Sequence, residues 1–146
     1  MAGKAIFVLG SFVVACSAKV ARFPRPGESL AAEAVTIEPG GKGLNQAIMA
    51  RRLGAAVQGL LAVGDDLAAA FAPPALERAG LPPSMLVRLA GSTGSGISLT
   101  GASGETCVAI ASGANLALSS EHVRQRAPAI AEAALVTGQF EIGDAP

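Results

Sequence analysis

Apolar runs alternate with clusters of glycine and proline along the chain, a pattern typical of short strands and helices joined by tight turns. Residues 44–53 predict a helix, because their apolar side chains recur at helical spacing. Two arginines lie on the solvent-facing side of this helix, and Gly54 is expected to end it. Residues 5–9 predict a buried strand of a parallel sheet, residues 57–63 predict a second apolar strand, and residues 135–137 predict a final strand.

Other segments carry weaker or interrupted patterns. Residues 29–38 alternate weakly and predict an exposed strand or flap, whereas residues 97–110 alternate cleanly around a Gly-Ala-Ser-Gly turn and predict a β-hairpin. Helices are expected over residues 66–80 and 121–134, and both should break where prolines stand, at Pro73-Pro74 and Pro128. This order of elements predicts a mostly parallel sheet with helices on its faces and an additional β layer.

Composition narrows the class of protein. The chain has 146 residues, of which 51% are hydrophobic, and that suffices for one ordinary folded domain. Eleven Lys and Arg residues balance eleven Asp and Glu residues, and Trp and Tyr are absent. A neutral chain with few aromatic side chains argues against a nucleic-acid partner.

Two cysteines and one histidine are the candidate metal ligands. Cys16 and Cys107 show no metal-ligand spacing, and His122 has no histidine partner, so a zinc site is not expected. We expect two buried, reduced thiols and a surface histidine at a helix start.

The N-terminus allows two interpretations. Lys4 and the apolar residues 5–16 resemble a signal peptide, and residues 13–16 resemble a lipoprotein cleavage box, so a secreted or lipidated protein is one hypothesis. A buried strand that ends at Gly10 and Ser11 is the favoured interpretation, because a single lysine is a weak positively charged region for a signal peptide. Apolar stretches of membrane-spanning length are absent from the sequence, and we expect no membrane partner.

The most informative segment is Gly40-Gly41-Lys42-Gly43-Leu44-Asn45-Gln46. Adjacent glycines let a ligand approach the backbone, and the following helix points free N–H groups at the same place. Lys42 adds a positive charge, and Asn45 adds a hydrogen-bond donor and a hydrogen-bond acceptor. Such groups can bind sugar hydroxyls. The alternative is a tight turn before a helix with a solvated lysine. Neither this segment nor residues 91–96 is a Walker loop, and we interpret residues 91–96 as a connection between strands.

Together with other motifs, this segment resembles the ribokinase branch of the PfkB carbohydrate kinases. The Gly-Gly-Lys-Gly-x-Asn-Gln block is specific, and the resemblance spans nearly all 146 residues. Further motifs in the family's order are Val8-Leu9-Gly10-Ser11, Phe23-Pro24-Arg25-Pro26-Gly27-Glu28, Gly64-Asp65-Asp66, Ser92-Thr93-Gly94 and Gly113-Ala114-Asn115.

The resemblance implies an α/β fold. This is a three-layer α/β/α arrangement with a mostly parallel sheet and a small β lid, formed partly by residues near 12–38 and often the dimer contact. The chain would be the N-terminal half of such a domain. The resemblance also implies phosphoryl transfer from ATP, with Mg²⁺, to a hydroxyl of a pentose-like sugar or nucleoside in the cytoplasm. Its implied substrate-binding residues are Gly40, Gly41, Lys42, Asn45 and Glu141.

The sequence departs from the family pattern in two places. Where the family has Asn and Asp after its first strand, the latter gripping the sugar, this chain has Val13 and Ala15. The Gly-Ala-Gly-Asp motif with its base aspartate, the Asn-x-x-Glu motif associated with magnesium and the nucleotide pocket are also missing. We therefore expect no catalysis by this chain alone, and expect a homo-oligomer or a complementary C-terminal half as partner. The alternative is a non-catalytic pseudokinase module that oligomerises or binds a partner.

Overall fold

The predicted apolar strands form one parallel sheet, here called the central sheet, in the computed structural model, which describes residues 5–143. Its spatial order places β1 second from one edge, paired in parallel with β4 on one side and β8 on the other. The strand missing from the sequence prediction, β5, is only three residues long and pairs with β4. The strands are β1 (Ile6–Gly10), β4 (Val57–Val63), β5 (Leu86–Arg88) and β8 (Leu135–Gly138), in the order β5-β4-β1-β8.

Helices cover both faces of the central sheet, which gives the predicted α/β/α layering. On one face Leu44 and Leu76 pack with Val8 of β1. On the other face Phe7 and Leu60 form a smaller cluster against the shorter helices. The first face carries α1 (Lys42–Arg52) and α2 (Ala72–Ala79), and the second carries α3 (Ser120–Arg124) and α4 (Ala127–Glu132).

The prolines lie at helix starts, as their positions in the sequence predict. A short 3-10 helix over Leu67–Phe71 comes first, and Pro73 and Pro74 then occupy the first turn of α2. Pro128 occupies the first turn of α4, after the break that follows α3. A first-turn residue has no intrahelical partner for its N–H group, so proline costs little there.

A second four-stranded sheet, here called the outer sheet, contains the predicted hairpin. Strand β3 begins at Ala34 and ends at Gly40, later than the predicted flap over residues 29–38. The apolar run over residues 5–16 belongs to two strands in different sheets, and residues 13–16 start β2. Lys4, the charge of the signal-peptide interpretation, lies outside the described residues. The strands are β2 (Val13–Lys19), β3 (Ala34–Gly40), β6 (Ser95–Thr100) and β7 (Thr106–Ala111), in the order β3-β2-β6-β7.

The prediction of two buried cysteines is wrong. Cys16 is half-buried and Cys107 is exposed, and both are free thiols on the outer sheet. Apolar alternation did not imply burial there, because no further layer of residues 5–143 covers the whole of that sheet. His122 is half-buried and completes a capping box, since its Nδ1 accepts a hydrogen bond from the N–H of Ser119. Among residues 5–143, the helices are all too short or too polar to cross a bilayer.

One buried amide, Asn115, joins the two sheets. Its Oδ1 accepts from the Phe12 N–H at 3.0 Å, and its Nδ2 donates to the carbonyls of Phe12 and Ser112 at 2.8 Å. Phe12 precedes β2 and Ser112 follows β7. A Cβ added to Gly94, just before β6, would lie 2.4 Å from Asn115 Nδ2. Three connecting segments of the chain therefore meet at a side chain that is 1% exposed.

Replacing Asn115 should weaken the whole fold. Asn115→Ala leaves the buried N–H and carbonyl of Phe12 without partners, and we expect a loss of about 3 kcal/mol in the free energy of unfolding. Urea unfolding followed by circular dichroism measures it. The matched control is Asn45→Ala, which removes an exposed amide from α1 and should change stability by less than about 0.5 kcal/mol. Equal midpoints for the two variants would contradict the role of Asn115.

Candidate functional site

The N-terminus of α1 lies directly against the end of β1. Gly41, the residue that caps the helix, has φ +100°, and a Cβ there would lie 2.7 Å from the Ser11 carbonyl oxygen. A Cβ on Gly43 would lie 2.6 Å from the backbone carbon of Gly10. Only glycine fits at Gly41 and Gly43. At Gly41 the positive φ also disfavours any other residue. The N–H of Leu44 then donates to the Ser11 carbonyl at 3.1 Å, which fixes the helix to the strand.

This approach brings three polar side chains together. Lys42, the first residue of α1, donates from Nζ to Oε1 of Glu141, and Ser11 donates from Oγ to Oε2 of Glu141 at 2.8 Å. Ser11 follows β1 and Glu141 follows the neighbouring strand β8. Carboxyl ends of parallel strands meet at one edge of a sheet, which is where ligands bind in such folds. The resemblance pointed to Lys42 and Glu141 separately, and the structure places them in contact.

The other residues proposed from the sequence lie around this pair. Gly40 ends β3 opposite Val13, and Gly41 connects it to α1. Asn45 is exposed and lies three residues after Lys42, on the same face of the helix. Gly41, Lys42 and Glu141 thus form the centre of the arrangement, and Gly40 and Asn45 lie at its margin.

Two polar residues at this place were not among the predicted site residues. Ser11 is 1% exposed, and the rule that ligands gather beyond strand ends could have selected it from the sequence. Nε2 of Gln139 is buried and has no hydrogen-bond partner within residues 5–143. It would lie 3.2 Å from a Cβ on Gly10. No pattern in the sequence marks this glutamine, since it lies in an irregular segment.

The environment of Glu141 keeps its carboxylate charged. The hydrogen bond from the Lys42 ammonium is the largest influence and lowers the pKa of Glu141, and Ser11 adds to the effect, against an opposing contribution from burial. The Glu141 side chain is 27% exposed and that of Lys42 is 68% exposed. The site therefore offers a strong acceptor beside a strong donor, with no net charge, to a ligand arriving from water. Neutral molecules with several hydroxyl groups match that combination.

One family of known proteins matches most of this chain. The model of the pfkB family carbohydrate kinases matches residues 4–138. The chain belongs to this family. It is 34% identical over 139 residues to a ribokinase of Haemophilus influenzae, and 33% identical over 139 residues to a deoxyribokinase of Salmonella typhi. Each match covers 94% of this chain and 45% of the relative.

The fold comparison agrees with the family assignment. The solved structure of ribokinase from Thermotoga maritima is 27% identical and superposes with a TM-score of 0.84, covering 96% of this chain and 46% of that one. The predicted ribokinase-like fold and family are thereby confirmed. The chain spans about 45% of the length of the curated relatives that it matches.

Two neighbouring aspartates of this PfkB chain hold a connection between strands. Asp66 accepts hydrogen bonds from the Oγ1 and N–H of Thr93 at 2.6 and 2.9 Å, and Asp65 accepts from the Gly91 N–H at 3.0 Å. These contacts hold the connection from β5 to β6. The sequence predicted that connection over residues 91–96, but β6 already begins at Ser95. Across residues 5–143, no three His, Cys, Asp or Glu side chains are grouped to bind a metal ion.

The ion pair should give stability that disappears in acid. The folded pKa of Glu141 lies below its unfolded value, so its contribution is complete above the ordinary glutamate range and falls as pH drops through the folded pKa. Glu141→Gln should therefore flatten the acid limb of a stability–pH curve, by less than about 1 kcal/mol because Lys42 is mostly in water. Urea midpoints measured between pH 6 and pH 3 test this.

The partner residue supplies the control. Lys42→Met should flatten the same limb in part, since the hydrogen bond from Ser11 remains, and the double variant should flatten it no further than Glu141→Gln does. Independent, additive effects would show that the two side chains do not act as a pair.

Proposed function

We propose that this chain is the sugar-binding portion of a PfkB kinase that phosphorylates a pentose-like sugar or a nucleoside with ATP. The Lys42–Glu141 pair carries the proposal, because it places a charged donor and a charged acceptor side by side at the carboxyl edge of the central sheet. The relatives named ribokinase and deoxyribokinase support a pentose-like substrate class.

A polyol would use both members of the pair and the backbone beside them. The Glu141 carboxylate accepts from sugar hydroxyls, the Lys42 ammonium donates to them, and the close turn at Gly40 and Gly41 lets the sugar ring approach the main chain. Asn45 adds an amide that both donates and accepts. These five residues are the substrate-binding residues of the proposal, and none is assigned a catalytic role.

Phosphoryl transfer needs a base, a metal ion and the phosphates held together, and the Gly-Ala-Gly-Asp motif with its base aspartate does not occur in this sequence. We therefore derive no chemical step through ATP or Mg²⁺ on this chain. In this proposal a complementary C-terminal half binds the nucleotide and the metal, and the isolated chain binds sugar without turnover. Two free thiols, one of them exposed, favour a reducing compartment, and the proposed location is the cytoplasm.

Sugar binding by the chain is the direct test. Isothermal titration calorimetry with D-ribose, 2-deoxy-D-ribose and adenosine should show binding of at least one of the three. Glu141→Gln should weaken that binding about tenfold or more, because the substitution removes a charged acceptor of hydroxyl hydrogen bonds.

Glu132→Gln is the matched control, since Glu132 is an exposed carboxylate on α4, and its binding should equal that of the parent chain. Binding of none of the three ligands would contradict the proposed function. With ATP, Mg²⁺ and the bound sugar, the isolated chain should form no ADP, and sugar phosphate from this chain alone would contradict the need for a second half.

A non-catalytic module that self-associates is the second candidate, and one observation favours it. The face of the outer sheet that points away from Val13 exposes Val35, Ile37 and Ile97 at 59%, 56% and 62%. Neighbouring apolar side chains in water favour an interface, and a chain without net charge does not repel its copy. A homodimer through this face is also compatible with a lid role for the outer sheet in a kinase.

Self-association should depend on that face alone. A combined Ile37→Lys and Ile97→Lys variant should be monomeric by light scattering after size-exclusion chromatography, whereas the parent chain should be dimeric. Val108→Lys is the control, because Val108 is 59% exposed on the opposite face of the same sheet. A monomeric parent chain, or a dimer that survives the double substitution, would contradict this interface.

A further inference from the structure

The outer sheet presents an apolar face to the Lys42–Glu141 site. A Cβ on Gly41 would lie 3.0 Å from Cγ2 of Val13, so the Val13 side chain borders the turn that precedes Lys42. Val14, the next residue, points to the other side and is buried with Leu44 in the core. Alternation along β2 therefore turns Val13 and Ala15 toward the site.

The strand register extends this face across the sheet. Ala15 pairs with Gly96 of β6, and Gly96 pairs with Ile110 of β7. A Cβ on Gly96 would lie 3.8 Å from Cγ1 of Ile110, so the glycine exposes the isoleucine rather than covering it. We call Val13, Ala15, Gly96 and Ile110 the apolar wall.

Polar groups near the apolar wall are either paired or at its edge. The hydroxyls of Ser17 and Ser98, one step further along β2 and β6, bond each other at 2.8 Å. Glu38 pairs with Ala15 from β3, the edge strand, and its side chain is exposed. The polar partners at the centre of the site are thus Lys42 and Glu141, which lie on the side of the central sheet.

The apolar wall and the Lys42–Glu141 pair favour different parts of one ligand. A hydroxyl that turns toward methyl groups gives up hydrogen bonds to water and gains none, whereas a C–H edge packs there without that loss. We propose that the apolar wall selects a deoxy sugar, whose hydroxyls face Lys42 and Glu141 and whose deoxygenated carbon faces Val13 and Ala15. This inference rests on the proposed function and names its substrate class.

Calorimetric titration of the full chain with D-ribose and with its 2-deoxy, 3-deoxy and 5-deoxy analogues tests the inference. One deoxy pentose should bind about fivefold more tightly than ribose. The expected factor is modest because the apolar wall is open to water, with Ile110 60% exposed, so that a hydroxyl facing it would keep part of its hydration. Ala15→Asp should remove or reverse the preference by supplying an acceptor for the additional hydroxyl. Val13→Asn should act in the same direction and replaces Ala15→Asp if that variant does not fold.

Two matched variants separate the apolar wall from its surroundings. Ala18→Asp adds the same carboxylate to the other face of β2, and Glu38→Gln removes the negative charge on the edge strand β3. Both variants should keep the parent preference for a deoxy pentose. Ribose binding as tightly as every deoxy pentose would overturn the inference and leave the proposed function intact. Folded Ala15→Asp and Val13→Asn variants that retain the parent preference would also overturn it. Failure of every pentose and of adenosine to bind would overturn the proposed function itself.

Discussion

The contact between the start of α1 and the end of β1 is the constraint on which the site depends. A side chain at Gly43 would collide with the backbone of Gly10, and a side chain at Gly41 would collide with Ser11. Collisions with backbone atoms cannot be relieved by rotating a side chain, so the approach is open to glycine only. Because the helix starts there, Lys42 reaches a carboxylate that follows another strand.

A second joint sets the outer sheet relative to this contact. Asn115 satisfies both polar backbone groups of Phe12, the residue immediately before β2 and one residue after Ser11. Any shift of the outer sheet would therefore break buried hydrogen bonds, which are costly to leave unmade. Rigidity at this joint keeps Val13 beside Gly41, so the position of the apolar wall follows from an amide that lies far along the chain from it.

The sequence predicted the elements whose signal is local. The run at residues 57–63 became β4, because a strand buried on both faces is apolar throughout. The run at residues 135–137 became β8, an edge strand on which Leu135 and Val136 are 56% and 48% exposed. Short or half-exposed elements were missed or displaced: β5 has three residues, and the exposure of Cys107 depends on what covers the outer sheet. Glu141 was identified only by resemblance, and its contacts with Ser11 and Lys42 join residues 130 and 99 positions away, which no local pattern encodes.

The ion pair and the glycine contact differ in what they contribute. With Lys42 mostly in water, the pair with Glu141 adds little to stability, since exposed ion pairs are screened by solvent. Its hydrogen bonds can consequently be exchanged for those of a ligand at small cost to the fold. The stability of the same region comes instead from buried backbone contacts at Ser11 and from Leu44 in the core. A site whose polar groups are not needed for folding can change its ligand through the apolar wall without loss of the contacts that hold α1 to β1.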